Sequence, residues 1–256
     1  MIHDHFVCER KLPFSKEQLR ERMESMPYCE QDGIRMLFLP PRMTTQNVEE
    51  FCYIYRQIMD TDYDTIVIIE PDTRHSQRKI QLLAGESVQT QYGRVPLDER
   101  LRDDFCDEED DFFVREDDDV THLGFFDHLQ MLQLTQKEFE VVGMQLMDQS
   151  PPIVHELTFV LKEIMPFKNG LIVFCCEMPA QFQETFDKLV LAISEENDTR
   201  LNNLIYSGQS HIWGSGIFLS GLMAARYRER EIRFYRTSSQ NPDDNLLAAH
   251  AGFPDR

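Results

Sequence analysis

Thr65-Ile66-Val67-Ile68-Ile69 is β-branched at every position, and a strand with no polar face must be covered on both sides. Such a strand belongs inside a sheet with a helical layer above and below. Glu70-Pro71-Asp72 marks its carboxyl end. Leu171 to Cys176 is a second run of the same kind, ending at Glu177-Met178-Pro179. A shorter apolar run, Ile34 to Pro40, is stopped by Pro40-Pro41. After it, Thr44 or Thr45 stands where a helix N-cap belongs, ahead of Val48, Phe51, Cys52, Tyr55, Ile58 and Met59 at helical spacing. The pattern recurs, with a strand over Phe139 to Met147 and a helix over Pro151 to Met165. Further helices are predicted for Gln181 to Ile193, Thr199 to Tyr206 and Ile217 to Tyr227. The last of these has a basic final turn that suits the negative end of its dipole. Ile232 to Tyr235 and Leu246 to Ala251 supply closing strands. Strands alternating with helices predict an α/β fold with a mainly parallel central sheet and helices on both faces.

A chain of 256 residues buries enough surface for one such domain, predicted to span residues 1–256 with its core from about 34 to 253. The formal charge of -19 repels phosphate, which argues against nucleic acid and anionic membrane as partners. No apolar run approaches the roughly 18 residues that a membrane span needs. Cysteines at 8, 29, 52, 106, 175 and 176 form no Cys-x-x-Cys pair. The expectation is therefore a reducing, cytoplasmic setting without a disulfide framework. Gln81 to Val95, with Gly85 and Gly93, reads as a hairpin or excursion. Eleven acidic residues fall between Asp103 and Asp119, where dense like charge predicts a solvated surface loop.

In sheets of this kind ligands bind beyond the carboxyl ends of the strands. Glu70-Pro71-Asp72-Thr73-Arg74-His75 packs two acids, an arginine and a histidine into one such end; it reads either as a polar pocket wall or as a capped, solvent-facing loop. His122 and His128 flank an apolar stretch, and their spacing of six does not place two imidazoles on one helical face. Each reads more simply as a hydrogen-bonded, part-buried histidine. Cys175 and Cys176 are adjacent in a strand and point to opposite faces, so the two thiols cannot share an ion. The glycines of Ser210 to Gly216 and the helix start behind them offer N–H groups to an anion, or simply make a tight turn. No Gly-x-Ser-x-Gly elbow and no His-Glu-x-x-His occur.

In order along the chain, several pieces resemble one family. Tyr63 to Asp72 is similar to a segment that runs Tyr-Asp, apolar strand, Gly-Pro-Ser-His. Tyr92-Gly93-Arg94-Val95-Pro96-Leu97-Asp98 resembles Pro-Leu-Gly-x-Val-Pro-Val-Asp. Gln145 to Gln149 resembles Val-Gly-Asp-Gln, and Leu171 to Glu177 a strand ending in Ser-Ser-Asp. Trp213-Gly214 to Ala225 resembles a Cys-Gly turn with an alanine-rich helix. Tyr235-Arg236-Thr237-Ser238 and Ala248-Ala249-His250-Ala251 are similar to Tyr-x-x-Ser and a closing Tyr-Ala-Ala strand. These motifs are those of the Memo family, known in bacteria as AmmeMemoRadiSam system protein B. The resemblance implies the fold of the class III extradiol dioxygenases.

The family holds a metal ion with a His after Ala-Pro, a His after Gly-Pro-Ser and the Cys of the Cys-Gly turn. The matching positions here are Arg42, Thr73 and Trp213, and none of the three carries over as a ligand. The family's Asp is matched by Glu177 and its following His by about Ala180. Its His-x-x-Glu-x-His-Leu-Pro stretch is represented by His128-Leu129 with His122 upstream and without the Glu. Arg42 brings a fixed positive charge and Trp213 a large ring, both opposed to a divalent cation. The implied protein has lost metal-dependent catalysis, needs no cofactor, and binds or interacts. Its expected partner is a small anionic ligand or a peptide, since relatives are described as binding phosphorylated peptides. In such a pocket Arg42 and Arg74 bind an anion or pair with Asp72 and Glu177. The alternative is a metal-dependent oxidoreductase or dioxygenase-like enzyme with iron, copper or zinc on a shifted site of His75, His122 or His128, with Glu177.

Overall fold

The four central strands are β2 (Met36–Leu39), β3 (Thr65–Pro71), β8 (Glu140–Leu146) and β9 (Gly170–Cys175). They lie in the order β2-β9-β3-β8 and all run parallel. In this computed structural model the described residues are 5–254 without 30, 73–78, 109–111, 115–123, 165–168, 196, 198, 202, 204–206, 208–210 and 237–245. Every residue of β2, β3 and β9 is buried, as strands without a polar face require. Around them are β4 (Ile80–Leu82), β7 (Phe112–Val114), β10 (Met178–Pro179), β11 (Glu231–Arg236) and β12 (Leu246–Gly252).

These outer strands make the nine-stranded sheet mixed, which corrects the mainly parallel expectation. Four pairings are parallel, β2 with β9, β9 with β3, β3 with β8 and β4 with β7. Four are antiparallel, β12 with β2, β10 and β11, and β4 with β8. An unbroken apolar run reports burial on two faces; strand direction depends on where the connection leads, which the run does not record. A second sheet joins β1 (His5–Val7), β5 (Ser87–Thr90) and β6 (Gly93–Pro96), the last two forming the hairpin expected in 81–95.

Helices cover both faces. Ile66 and Ile68 of β3 pack with α1 (Lys16–Ser25), α2 (Val48–Arg56) and α4 (Phe125–Thr135). Val67 and Ile69 pack on the other side with α3 (Glu99–Glu108), α5 (Pro151–Ile164), α6 (Gln183–Ser194) and α7 (Ser215–Tyr227). The same alternation sends Cys175 into the first core and Cys176 into the second, as expected for neighbours in a strand. Leu19 and Met23 of α1 are fully buried, so the packed core begins well before residue 34. Of the helix expected at 199–206, residues 202 and 204–206 lie outside the described residues. No helix among the described residues is long and apolar enough to cross a membrane.

The acidic stretch is not a loop throughout. Residues up to Glu108 complete α3, and 112–114 form a strand. Leu101 and Phe105, four residues apart, put one apolar stripe into the core, and the Phe105 ring stacks on Phe112 at 5.9 Å. Asp103 and Asp104 are exposed on the opposite side, so the acids mark the outer face of a helix.

The core above β2 and β9 depends on a close approach. Phe38 stacks on Phe174 at 5.1 Å and meets the edge of Phe218 at 5.8 Å, while Gly221 of α7 lies directly over the Phe38 ring. A β-carbon there would run into that ring. Gly221→Ala is expected to lower stability by about 1–3 kcal/mol, read as a shift of the urea midpoint at unchanged slope.

Candidate functional site

Parallel pairing brings the carboxyl ends of β2, β3, β8 and β9 to one edge of the sheet, with Leu39 beside Cys175 and Pro71 beside Leu146. Glu70 and Asp72 stand at this edge, both buried. Asp72 accepts a hydrogen bond from Gln145 Nε2 at 3.1 Å. Glu70 Oε2 accepts from the backbone N–H groups of Gly124, at 2.7 Å, and Phe125, at 3.2 Å, so it caps the first turn of α4. The helix start and the two N–H groups favour the ionised acid. Burial opposes them and prevails, lifting the Glu70 pKa to about 8. Its other oxygen, Oε1, is buried without a hydrogen-bond partner among the described residues. Gly124 is required here because a side chain would strike the Pro41 carbonyl.

Behind this edge α4 carries a second polar set. Asp127, fully buried, accepts from Arg10 Nε, from Arg10 Nη2 at 2.8 Å and from the Met43 N–H at 2.9 Å. His128 Nε2 lies 2.9 Å from the Pro40 carbonyl oxygen and Nδ1 lies 2.8 Å from the Tyr55 hydroxyl. A carbonyl only accepts, so Nε2 carries the proton and Nδ1 accepts from Tyr55. Burial holds the phenol pKa well above its ordinary value and lowers that of His128 to about 4. Phe51 stacks on the imidazole at 5.1 Å. His128, expected as a pocket candidate and possible ligand, is therefore a neutral core histidine whose one lone pair is already engaged.

The third part of the site is the turn before α7. Glu177 and Trp213 form an isolated antiparallel bridge, with the Glu177 N–H donating to the Trp213 carbonyl at 3.0 Å and the Trp213 N–H to the Glu177 carbonyl at 3.2 Å. Gly214, at φ 77°, takes the left-handed conformation that starts α7, where a β-carbon would sit 3.0 Å from the Cys175 carbonyl and 3.3 Å from the Pro71 ring. Gln149 Oε1 accepts from the Gly216 N–H at 2.9 Å. One donor of this helix start, expected to be open to an anion, is thus filled from within the chain. Trp213 is 40% exposed. The residue is thus not enclosed by the site.

Of the residues singled out from sequence, the structure brings Asp72, Glu177 and Trp213 to one edge, with Arg42 exposed after β2 and close enough for its charge to act on Glu70. Thr73, Arg74, His75 and His122 lie outside the described residues. An arginine guanidinium and an indole N–H are donors only, so Arg42 and Trp213 do not fit the roles of metal ligands. Among the described residues no group of three His, Cys, Asp or Glu side chains converges to hold an ion. Sequence reasoning missed the burial of Glu70 and the Arg10 to Asp127 fork. The one signal for the first was an acid set directly behind five β-branched residues.

The α/β fold is shared with a solved protein. The crystal structure of uncharacterized protein JW3007 from Escherichia coli K12 superposes with a TM-score of 0.52 at 12% identity, covering 86% of this chain and 100% of that one. Residues 13–249 match the profile of the Memo-like proteins, and the chain belongs to that family. A MEMO1 family protein of Thermotoga neapolitana is 29% identical over 144 residues, 53% of this chain. The match spans 51%, about half, of that relative's own length.

Three buried titrating groups, Glu70, His128 and His250, make a pH prediction. Glu70, raised from 4.5 to about 8, binds a proton in the fold that the unfolded chain has released, so its contribution is complete below 4.5 and lost as pH rises through 8. His128 and His250, lowered from 6.5 to about 4, act in the opposite sense, and stability falls as pH drops from 6.5 towards 4. The window from 6.5 to 8 isolates Glu70 from both. Denaturation there is expected to show stability falling by up to about 1.4 kcal/mol per pH unit. Glu70→Gln, which keeps an oxygen for the two N–H groups, flattens the slope.

Proposed function

We propose that this Memo-like protein performs no metal-dependent catalysis at the family's site and acts as a binding protein, taking a small ligand or a peptide at the strand-end cleft. The observation that carries this reading is Trp213. By the resemblance it stands at the position of the family's cysteine; its backbone N–H and carbonyl are both bonded to Glu177, and the residue is 40% exposed. A buried tryptophan would read as plugging an abandoned site; one held half in solvent offers a large, rigid contact surface at low entropic cost. Arg42 supports the same reading by placing a permanent cation where relatives use an imidazole.

Elemental analysis of protein purified without a histidine tag tests the proposal. The expected result is iron, copper and zinc far below one equivalent per chain, unchanged after incubation with each metal and desalting. A stoichiometric metal would sink it and restore the reading of an oxidoreductase with a rearranged site.

A further inference from the structure

The Glu177 and Trp213 bridge has a chemical consequence beyond rigidity. Directly opposed residues of an antiparallel pair project their side chains from the same face, with β-carbons about 5 Å apart. The side chains of Glu177 and Trp213 therefore leave the bridge from one face as neighbours. Glu177 is half-buried, and none of the described residues forms a hydrogen bond or ion pair with its carboxylate. Burial raises its pKa, which is the behaviour of an acid lacking a compensating cation.

The surroundings hold the pair in place. Ile212, next to Trp213, is buried, and Gly214 on its other side is packed against Cys175 and Pro71. His211, two residues before Trp213, adopts φ 50°, and its ring stacks on Phe182 at 4.1 Å and 12°. A left-handed, non-glycine residue held by a ring contact is strain kept in a turn. Here that turn presents Trp213 outward.

An exposed tryptophan next to a carboxylate with no counter-ion among the described residues is complementary to an organic cation. The ring quadrupole attracts positive charge to its face, the acid supplies the opposite charge, and partial desolvation strengthens both. The chain's charge of -19 draws cations and disfavours anions at this half of the cleft. We infer that the Glu177–Trp213 pair is a binding site for the ammonium group of a small organic cation, held by cation–π contact with Trp213 and by the Glu177 carboxylate. The assignment rests on the binding-protein reading and supplies the charge of its ligand. The anionic partner expected from Arg42 is not the group bound here.

Trp213 is the single tryptophan of the chain, so its fluorescence reports directly on the site. The probes are choline, its uncharged isostere with carbon in place of the quaternary nitrogen, and phenyl phosphate. Choline is expected to change the emission saturably and the isostere to bind about tenfold or more weakly. Glu177→Gln should lower choline affinity by about tenfold with an unchanged circular dichroism spectrum and urea midpoint, because the bridge is made by backbone groups. In Trp213→Leu, calorimetry should detect no choline binding. An unchanged emission with choline, equal binding of the isostere, undiminished affinity in Glu177→Gln, or a response to phenyl phosphate alone would each overturn the cation assignment. In metal-free protein those results leave the binding-protein reading standing. A stoichiometric metal overturns that reading whatever choline does.

Discussion

Pairing of β3 with β9 on one side and β8 on the other sets the level of three carboxyl ends, and the site is assembled on that level. Thr65 to Ile69 run in register with Gly170 to Phe174, and Thr65 to Pro71 with Glu140 to Leu146. Strands covered on both faces have no freedom to slide, since a shift of one residue would exchange the two cores. Glu70 consequently falls where its carboxyl group meets the start of α4, and Glu177 where it faces the turn that carries Trp213. The positions of the polar groups follow from an apolar constraint.

The two titrating groups nearest that edge are both kept neutral by burial, by different routes. His128 spends its lone pair on Tyr55 and its proton on Pro40, so both polar atoms of the ring are satisfied. Among the described residues Glu70 finds partners for one oxygen alone, in spite of a helix start aimed at it. The histidine belongs to a finished core, whereas the glutamate is a point of residual polarity under the cleft.

Strand positions were legible in the sequence because β-branched runs have few other uses. Their directions were not, because β12 and β4 turn back through connections that leave no mark on the strands themselves. α4 escaped for a different reason. Phe125 to Met131 are all buried, so no polar face alternates with the apolar one and the helical period disappears. The acids around Asp103 hid α3 in the reverse way, their charge masking the stripe of Leu101 and Phe105. At the site, Arg42 and Trp213 stand out in the sequence against the family's motifs, but the exposure of Trp213 does not. It depends on a backbone bridge between residues 177 and 213, which no local pattern encodes.

β2 lies between β9 and β12, and this placement bears on how the chain is built. Met36 to Phe38 pair with Ala249 to Ala251, the Asp32 carbonyl accepts from the Phe253 N–H, and the Gln31 amide donates to the Glu231 and Phe253 carbonyls. The second edge of β2 is thus closed only by β12, which follows every other strand of the sheet in sequence. During synthesis that edge stays open and able to pair with another chain. The strand-end edge to which β2 contributes is therefore complete only once β12 has docked beside it.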